Sequence, residues 1–246
     1  MTASDSRTSR IYSDGTSSFD RDDFQKTFAS PATPDIFAVC GRVQGVPSLI
    51  SDLFCAAGED RARMSGTAVA DGYTERLLQR ISNTASFAGL VLFHGFRFNV
   101  NDFGLTRIEL GPQPRLTRII LTPRSGLLYR DGSGESMVQR TQLNDPETDA
   151  KGFSRWYWQS FVLSLNPSSD ASCGGAPQLV GLFQKGPGIS FGVRFNGTTY
   201  LNGSVSADTS LSEVRDELFQ RVSSSGELLK KAQQHARNFP RDRLFG

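Results

Sequence analysis

Asp35-Ile36-Phe37-Ala38-Val39-Cys40-Gly41 is a short, nearly continuous apolar run closed by a glycine, as expected of a strand buried on both faces. Its flanks set the fold class. Upstream, Phe24-Gln25-Lys26-Thr27-Phe28 alternates apolar and polar residues with the period of a strand, and Ser13-Asp14-Gly15-Thr16-Ser17-Ser18 is turn chemistry. The front therefore reads as strand, polar turn, strand, with Pro31 and Pro34 punctuating before the buried run. Downstream the period changes. Pro47 to Phe54 places apolar residues at helical spacing, with Gly58 positioned to end that helix. A second helix over about 71–84 puts Tyr73, Leu77, Leu78 and Ile81 on one face.

The rest alternates in the same blocks. Residues 87–129 are β-rich, with apolar runs at 88–95, 105–110 and 116–121, the last two separated by Gly111-Pro112. Residues 154–165, with Trp156, Tyr157, Trp158 and Phe161, fit a packed helix, and 178–183 fits a strand. Asn196-Gly197 is a hairpin turn between two further strands. Lys185-Gly186-Pro187-Gly188 lacks the spacing of a phosphate loop and reads as a hairpin loop. Leu211, Val214, Leu218 and Val222 stand at helical spacing and predict a last helix. The order β-β-α-α-β-β-α-β-β-α makes the chain α+β, with two antiparallel sheets each covered by helices on the outer face. No internal repeat or linker divides it, so residues 1–224 form one domain and 225–246 a helical, basic tail.

Composition narrows the function classes. The 246 residues suffice for a sizeable core. A net charge of +2 with no clustered basic stripe argues against nucleic acid, and no apolar run of about 18 residues spans a membrane. Without a charged-then-apolar leader the chain reads as cytoplasmic. Three cysteines without CxxC spacing read as reduced thiols. Two histidines leave little material for a metal site or a Ser-His-Asp triad, so hydrolytic chemistry would need another base, and no cofactor or metal is implied.

Ala3-Ser4-Asp5-Ser6-Arg7 offers that chemistry a carboxylate, and Lys26 an amine. Gly41 follows Lys26 by fifteen positions; Gly132-Ser133-Gly134 and Asp170-Ala171-Ser172-Cys173-Gly174-Gly175 come later. A carboxylate holding a lysine beside a nucleophile creates a field that lowers a neighbouring amine's pKa, so that the amine can take a hydroxyl proton. A glycine N–H suits an oxyanion hole.

These motifs, in this order over residues 2–205, resemble the proteasome β-subunit-like branch of the N-terminal nucleophile (Ntn) hydrolases. The resemblance implies a four-layer αββα sandwich and hydrolysis of an amide in a peptide or protein by an N-terminal threonine whose α-amine is the base. By position, Asp5 would orient Lys26, the lysine beside the nucleophile. Gly41 would supply the oxyanion N–H, Ser133 would support the amine, and Asp170 would be the second acid. Cys173 stands where the family has serine, exchanging a hydroxyl for a weak donor. The resemblance also implies assembly of like subunits into rings, a homo-oligomer.

The family's nucleophile lies well before the acid, yet only four residues precede Asp5. The nucleophile is then encoded upstream of Met1, or is Thr2 after removal of Met1, or is absent. Thr2 is three residues from Asp5, at most about 10 Å along the same extended strand, a poor placement. The first alternative is an amide hydrolase; the last is a non-catalytic scaffold subunit; a third reading is an unrelated α+β binding domain. Each residue also has a plainer role: Asp5 as an exposed terminal acid, Lys26 as a strand-face lysine, Gly41 as a strand end, Ser133 and Asp170 as turn residues.

Overall fold

A computed structural model describes residues 1–11, 17–63, 72–81, 84–100, 102–121, 154–165, 174–208 and 210–229, with the single positions 136 and 139. Ser133, Asp170, Cys173 and the tail beyond residue 229 lie outside them. The fold is α+β, built on two sheets.

The five-stranded sheet is β4 (Thr27–Ala29), β5 (Asp35–Gly41), β6 (Leu90–Asn99), β7 (Asp102–Glu109) and β8 (Arg115–Arg118), antiparallel in sequence order. The apolar run 35–41 is indeed β5, buried from Asp35 to Val39. It pairs along its whole length with β6, from Asp35↔Phe96 to Gly41↔Leu90.

The seven-stranded sheet runs β1 (Thr2–Ser4), β9 (Gln178–Leu182), β10 (Gly188–Phe195), β11 (Thr198–Leu201) and β12 (Ser204–Val205). On the β9 side of β10, β13 (Val214–Arg215) takes over from Gly192 in a parallel pairing, and β14 (Arg221–Val222) pairs β13. A separate hairpin joins β2 (Thr8–Ile11) to β3 (Ser17–Arg21). The two sheets meet through β4 and β5 on one side and β1, β9 and β10 on the other.

Helix spacing follows the burial. In α1 (Val46–Arg63), Leu49, Ile50, Leu53 and Ala57 fall on one face and join Phe37, Val39, Leu90 and Leu92. Tyr73, Leu77 and Leu78 of α2 (Tyr73–Gln79) enter the same cluster. On the other sheet, Trp158 and Val162 of α3 (Ser154–Ser164) pack with Val193 and the cross-strand pair Leu179↔Phe191. No described helix is long and apolar enough to cross a membrane.

Two sequence expectations are corrected. Gly58 does not end α1; the helix continues to Arg63, because Arg61 reaches Asp35 with two hydrogen bonds of 2.8 and 3.1 Å. The expected helix from Leu211 is a hairpin. Asp216 Oδ1 accepts the N–H groups of Leu218 and Gln220, at 3.0 and 2.6 Å, and this local side-chain bonding favours a turn over a helix. Val214 and Val222 face each other across β13–β14, so their spacing of eight comes from hairpin register.

Candidate functional site

Asp5 follows β1 and Lys26 precedes β4, so an ion pair between them links the two sheets. Lys26 Nζ lies 2.7 Å from Asp5 Oδ1, and each side chain is 13% exposed, enough for solvent to reach. The other carboxylate oxygen accepts the backbone N–H of Gly174 at 3.0 Å. Three chain segments far apart in sequence thus meet on one carboxylate.

The neighbours of Asp5 hold it there. Arg7 forks onto the Asp22 carboxylate at 2.7 and 3.1 Å, a bidentate geometry that fixes orientation as well as charge. Arg7 N–H donates to Gly174 O, and Phe24 N–H to Ser6 O. The buried Ser6 hydroxyl accepts from Ala176 N–H at 2.8 Å and donates to Asp22 O. A side chain at Gly175, whose φ is +72°, would come within 2.4 Å of that hydroxyl. The Gly174-Gly175 pair is therefore required where it closes on Asp5-Ser6-Arg7.

Gly41 lies on the strand beside Lys26. Val39 N–H donates to Lys26 O at 2.9 Å, and Gly41 is two residues further along β5, about 7 Å. Its φ of +84°, and a Gly89 carbonyl 2.3 Å from where a Cβ would sit, require glycine there irrespective of chemistry. Asp5, Lys26 and Gly41 are thus brought to one end of the sheets, while Ser133, Asp170 and Cys173 are outside the described residues. Thr2 lies on β1, paired with Val180, in the same run that leads into Asp5.

Gln178 also belongs to this region, which sequence reasoning missed. Its side chain, at the start of β9, binds the backbone of Lys26 and of Asp5 across the sheets. The only hint available was a polar residue opening an otherwise apolar strand.

A second polar cluster was also unforeseen. Asp35, at the opposite end of β5, is fully buried and accepts from Arg61, from Tyr73 Oη at 3.1 Å and from His94 Nε2 at 3.1 Å. Burial would raise the Asp35 carboxyl, but its hydrogen bond to His94 and the Arg61 guanidinium outweigh burial and hold it at about 2. Burial lowers the His94 imidazole, against the pull of Asp35, and raises the Tyr73 phenol. The neutral ring donates from Nε2 and accepts the Thr74 hydroxyl at Nδ1, 3.0 Å away. Hydroxyl, imidazole and carboxylate stand in triad order, but His94 and Asp35 have no exposed surface, so no substrate carbonyl reaches them. This cluster is structural.

An open groove of about 770 Å³ is lined by Arg97, Val100, Asp102, Gln184 and Lys185. It lies beyond the Asp35 end of β5, six residues or about 20 Å from Gly41, and is no part of the Asp5–Lys26 site. No protein-family model matches the chain, and no curated protein matches it either.

Proposed function

We propose that the chain is a proteasome-like Ntn unit whose Asp5–Lys26 pair serves amide hydrolysis. The observation carrying this reading is the pair itself: 2.7 Å, both side chains largely but not wholly buried, with Gly174 N–H on the second carboxylate oxygen. Three of the segments that suggested the family, those carrying Asp5, Lys26 and Gly174, meet at this pair. Packing of α1 and α2 on one sheet and of α3 on the other supports a four-layer αββα arrangement.

In this reading a threonine hydroxyl attacks the amide carbonyl of a peptide or protein while its α-amine takes the proton. Lys26, held by Asp5, biases that amine toward the neutral form. Gly41 N–H stabilises the oxyanion, Ser133 supports the amine, Asp170 is the second acid, and Cys173 replaces the usual serine. The nucleophile comes from a strand encoded upstream of Met1 rather than from Thr2, which shares a run with Asp5. Like subunits assemble into a cytoplasmic homo-oligomer.

The test is expression with the upstream coding sequence, followed by labelling with a threonine-directed electrophile and assay of peptide hydrolysis. Labelling at a residue preceding Met1, with a rate lowered about 10²–10⁴-fold in Lys26→Ala, is the expected result. An in-frame stop upstream removes the version with an upstream nucleophile, and a labelling pattern indifferent to Lys26→Ala removes the hydrolase reading.

The alternative is a non-catalytic scaffold subunit. It is supported by the same convergence, since the contacts of Asp5 join three segments whatever chemistry follows. Loss of stability in Lys26→Ala, with no labelling of the full-length wild type, selects it.

A further inference from the structure

Gln178 is 1% exposed, and every hydrogen-bonding position of its amide points at one of the two segments that carry the ion pair or at their immediate neighbours. Oε1 accepts Lys26 N–H at 2.9 Å and Thr27 N–H at 3.2 Å, with the Thr27 hydroxyl at 3.4 Å. Nε2 donates to Phe24 O at 2.6 Å and to Asp5 O at 3.3 Å. The orientation is forced, because a flipped amide would set its NH₂ against two N–H groups and its oxygen against two carbonyls.

We propose that Gln178 is the positioning residue of the Asp5–Lys26 site: one side chain fixes the main chain of the lysine through its N–H and that of the acid through its carbonyl, which sets where Nζ and Oδ1 meet. The inference rests on the reading of that pair as the site.

Only an uncharged amide satisfies these partners. An ionised glutamate would turn an acceptor toward two carbonyls, and leucine would take this partner from two backbone donors and two backbone acceptors. The turn between β11 and β12 closes over the amide. A Cβ at Gly203, whose φ is +87°, would lie 2.7 Å from Gln178 Nε2 and 2.9 Å from Ser6 Cβ. That hairpin is therefore coupled to Lys26 through Gln178.

Reductive methylation of the full-length chain with formaldehyde and cyanoborohydride tests this. Lys26 and the exposed Lys185 are quantified by mass spectrometry over roughly pH 6 to 9, and the Lys26/Lys185 rate ratio is compared with wild type. Folding is checked by circular dichroism. In folded Gln178→Leu and in Gly203→Ala the ratio is expected to rise about fivefold, equivalent to one lost hydrogen bond. In Gln178→Glu the ratio is expected to be raised at high pH and to return toward wild type as the carboxyl protonates, since the acid form again offers both a donor and an acceptor. A merely structural glutamine predicts no such pH profile. If Gln178→Leu fails to fold, the other two variants decide by the same ratio. A change below about twofold in every folded variant overturns the proposal. A wild type that hydrolyses no peptide, with Lys26 nonetheless released in the variants, refutes the hydrolase reading alone and leaves the positioning role standing.

Discussion

The two ends of β5 carry the same chemical pairing, a carboxylate with a cation, put to different uses. At one end Asp35 meets Arg61, His94 and Tyr73 with no exposed surface on the acid. At the other, next to Gly41, Asp5 meets Lys26 with an eighth of each side chain open to solvent. The fully buried acid has a permanently charged guanidinium, itself 18% exposed, that forks onto both carboxylate oxygens, the arrangement that best offsets desolvation. The accessible pair uses lysine, a mobile point charge whose field can act on a neighbouring amine. Burial of the acid and the kind of cation separate a structural pair from a candidate for chemistry.

The sharpest way to break this contrast is to remove one partner from each end. On the hydrolase reading, Lys26→Met lowers peptide hydrolysis about 10²–10⁴-fold, roughly 3–5 kcal/mol of transition-state stabilisation, and has a far smaller effect on folding. Asp35→Ala does the reverse. It strands the half-buried Arg61 guanidinium and leaves its partners at the buried end unpaired, lowering unfolding free energy by about 3 kcal/mol in urea titration. Equal stability losses for the two variants would erase the distinction.

Acid sharpens the same contrast. His94 has a lowered folded pKa, so the unfolded chain binds the extra proton first as pH falls below about 6.5. Stability then drops by up to about 1.4 kcal/mol per pH unit until the folded imidazole itself protonates. The Asp35 contribution is complete above its unfolded value of 3.8 and is lost as pH falls from there through about 2. Urea midpoints measured between neutral pH and pH 4.5 should fall in wild type, with the His94 part of the slope missing in His94→Gln. The same slope in both proteins would show that the imidazole is not the group responsible.

At the accessible end, Gly175→Ala tests the clasp around Asp5. The added methyl meets the Ser6 hydroxyl and forces a left-handed backbone on alanine, which costs about 1–3 kcal/mol. The loss should appear as earlier hydrogen exchange at Ala176 and Phe24, whose N–H groups bond Ser6, before any at β6. Protection that falls first in β6 would place the weak point at the buried end instead.

How much of this was legible in the sequence depends on the range of the forces involved. β5, α1, α2 and α3 were readable because apolar spacing records burial directly, as at Leu49, Leu53, Tyr73 and Leu77. The Asp5–Lys26 meeting was readable only through the order of short motifs, since twenty-one residues separate the partners. Gln178 was not readable: its partners lie more than 150 positions away, and one polar residue opening a strand has no local signature. The Asp35 cluster was hidden for a related reason, because an acid at the edge of an apolar run says nothing about an arginine arriving from a helix. The terminal hairpin failed differently. Val214, Leu218 and Val222 repeat every four residues, and helical spacing cannot be told from a hairpin that turns at Asp216.

Gly58 joins that lesson to the smallest expected effect. Its position after the apolar run suits a helix stop, yet α1 passes through it and delivers Arg61 to Asp35 less than one turn later. Glycine in a helix interior costs about 0.5–1 kcal/mol relative to alanine, mainly through the freedom it gives the unfolded chain. A Cβ at this position would meet no atom within 4 Å, and the backbone is not in the left-handed region, so nothing in the fold requires glycine. Gly58→Ala should therefore raise the urea midpoint by that amount with an unchanged slope, leaving the Lys26/Lys185 methylation ratio as in wild type. A loss of stability instead would mean that α1 needs a pliant residue to bring Arg61 onto the carboxylate. The dry end of β5 would then be strained into place rather than simply packed.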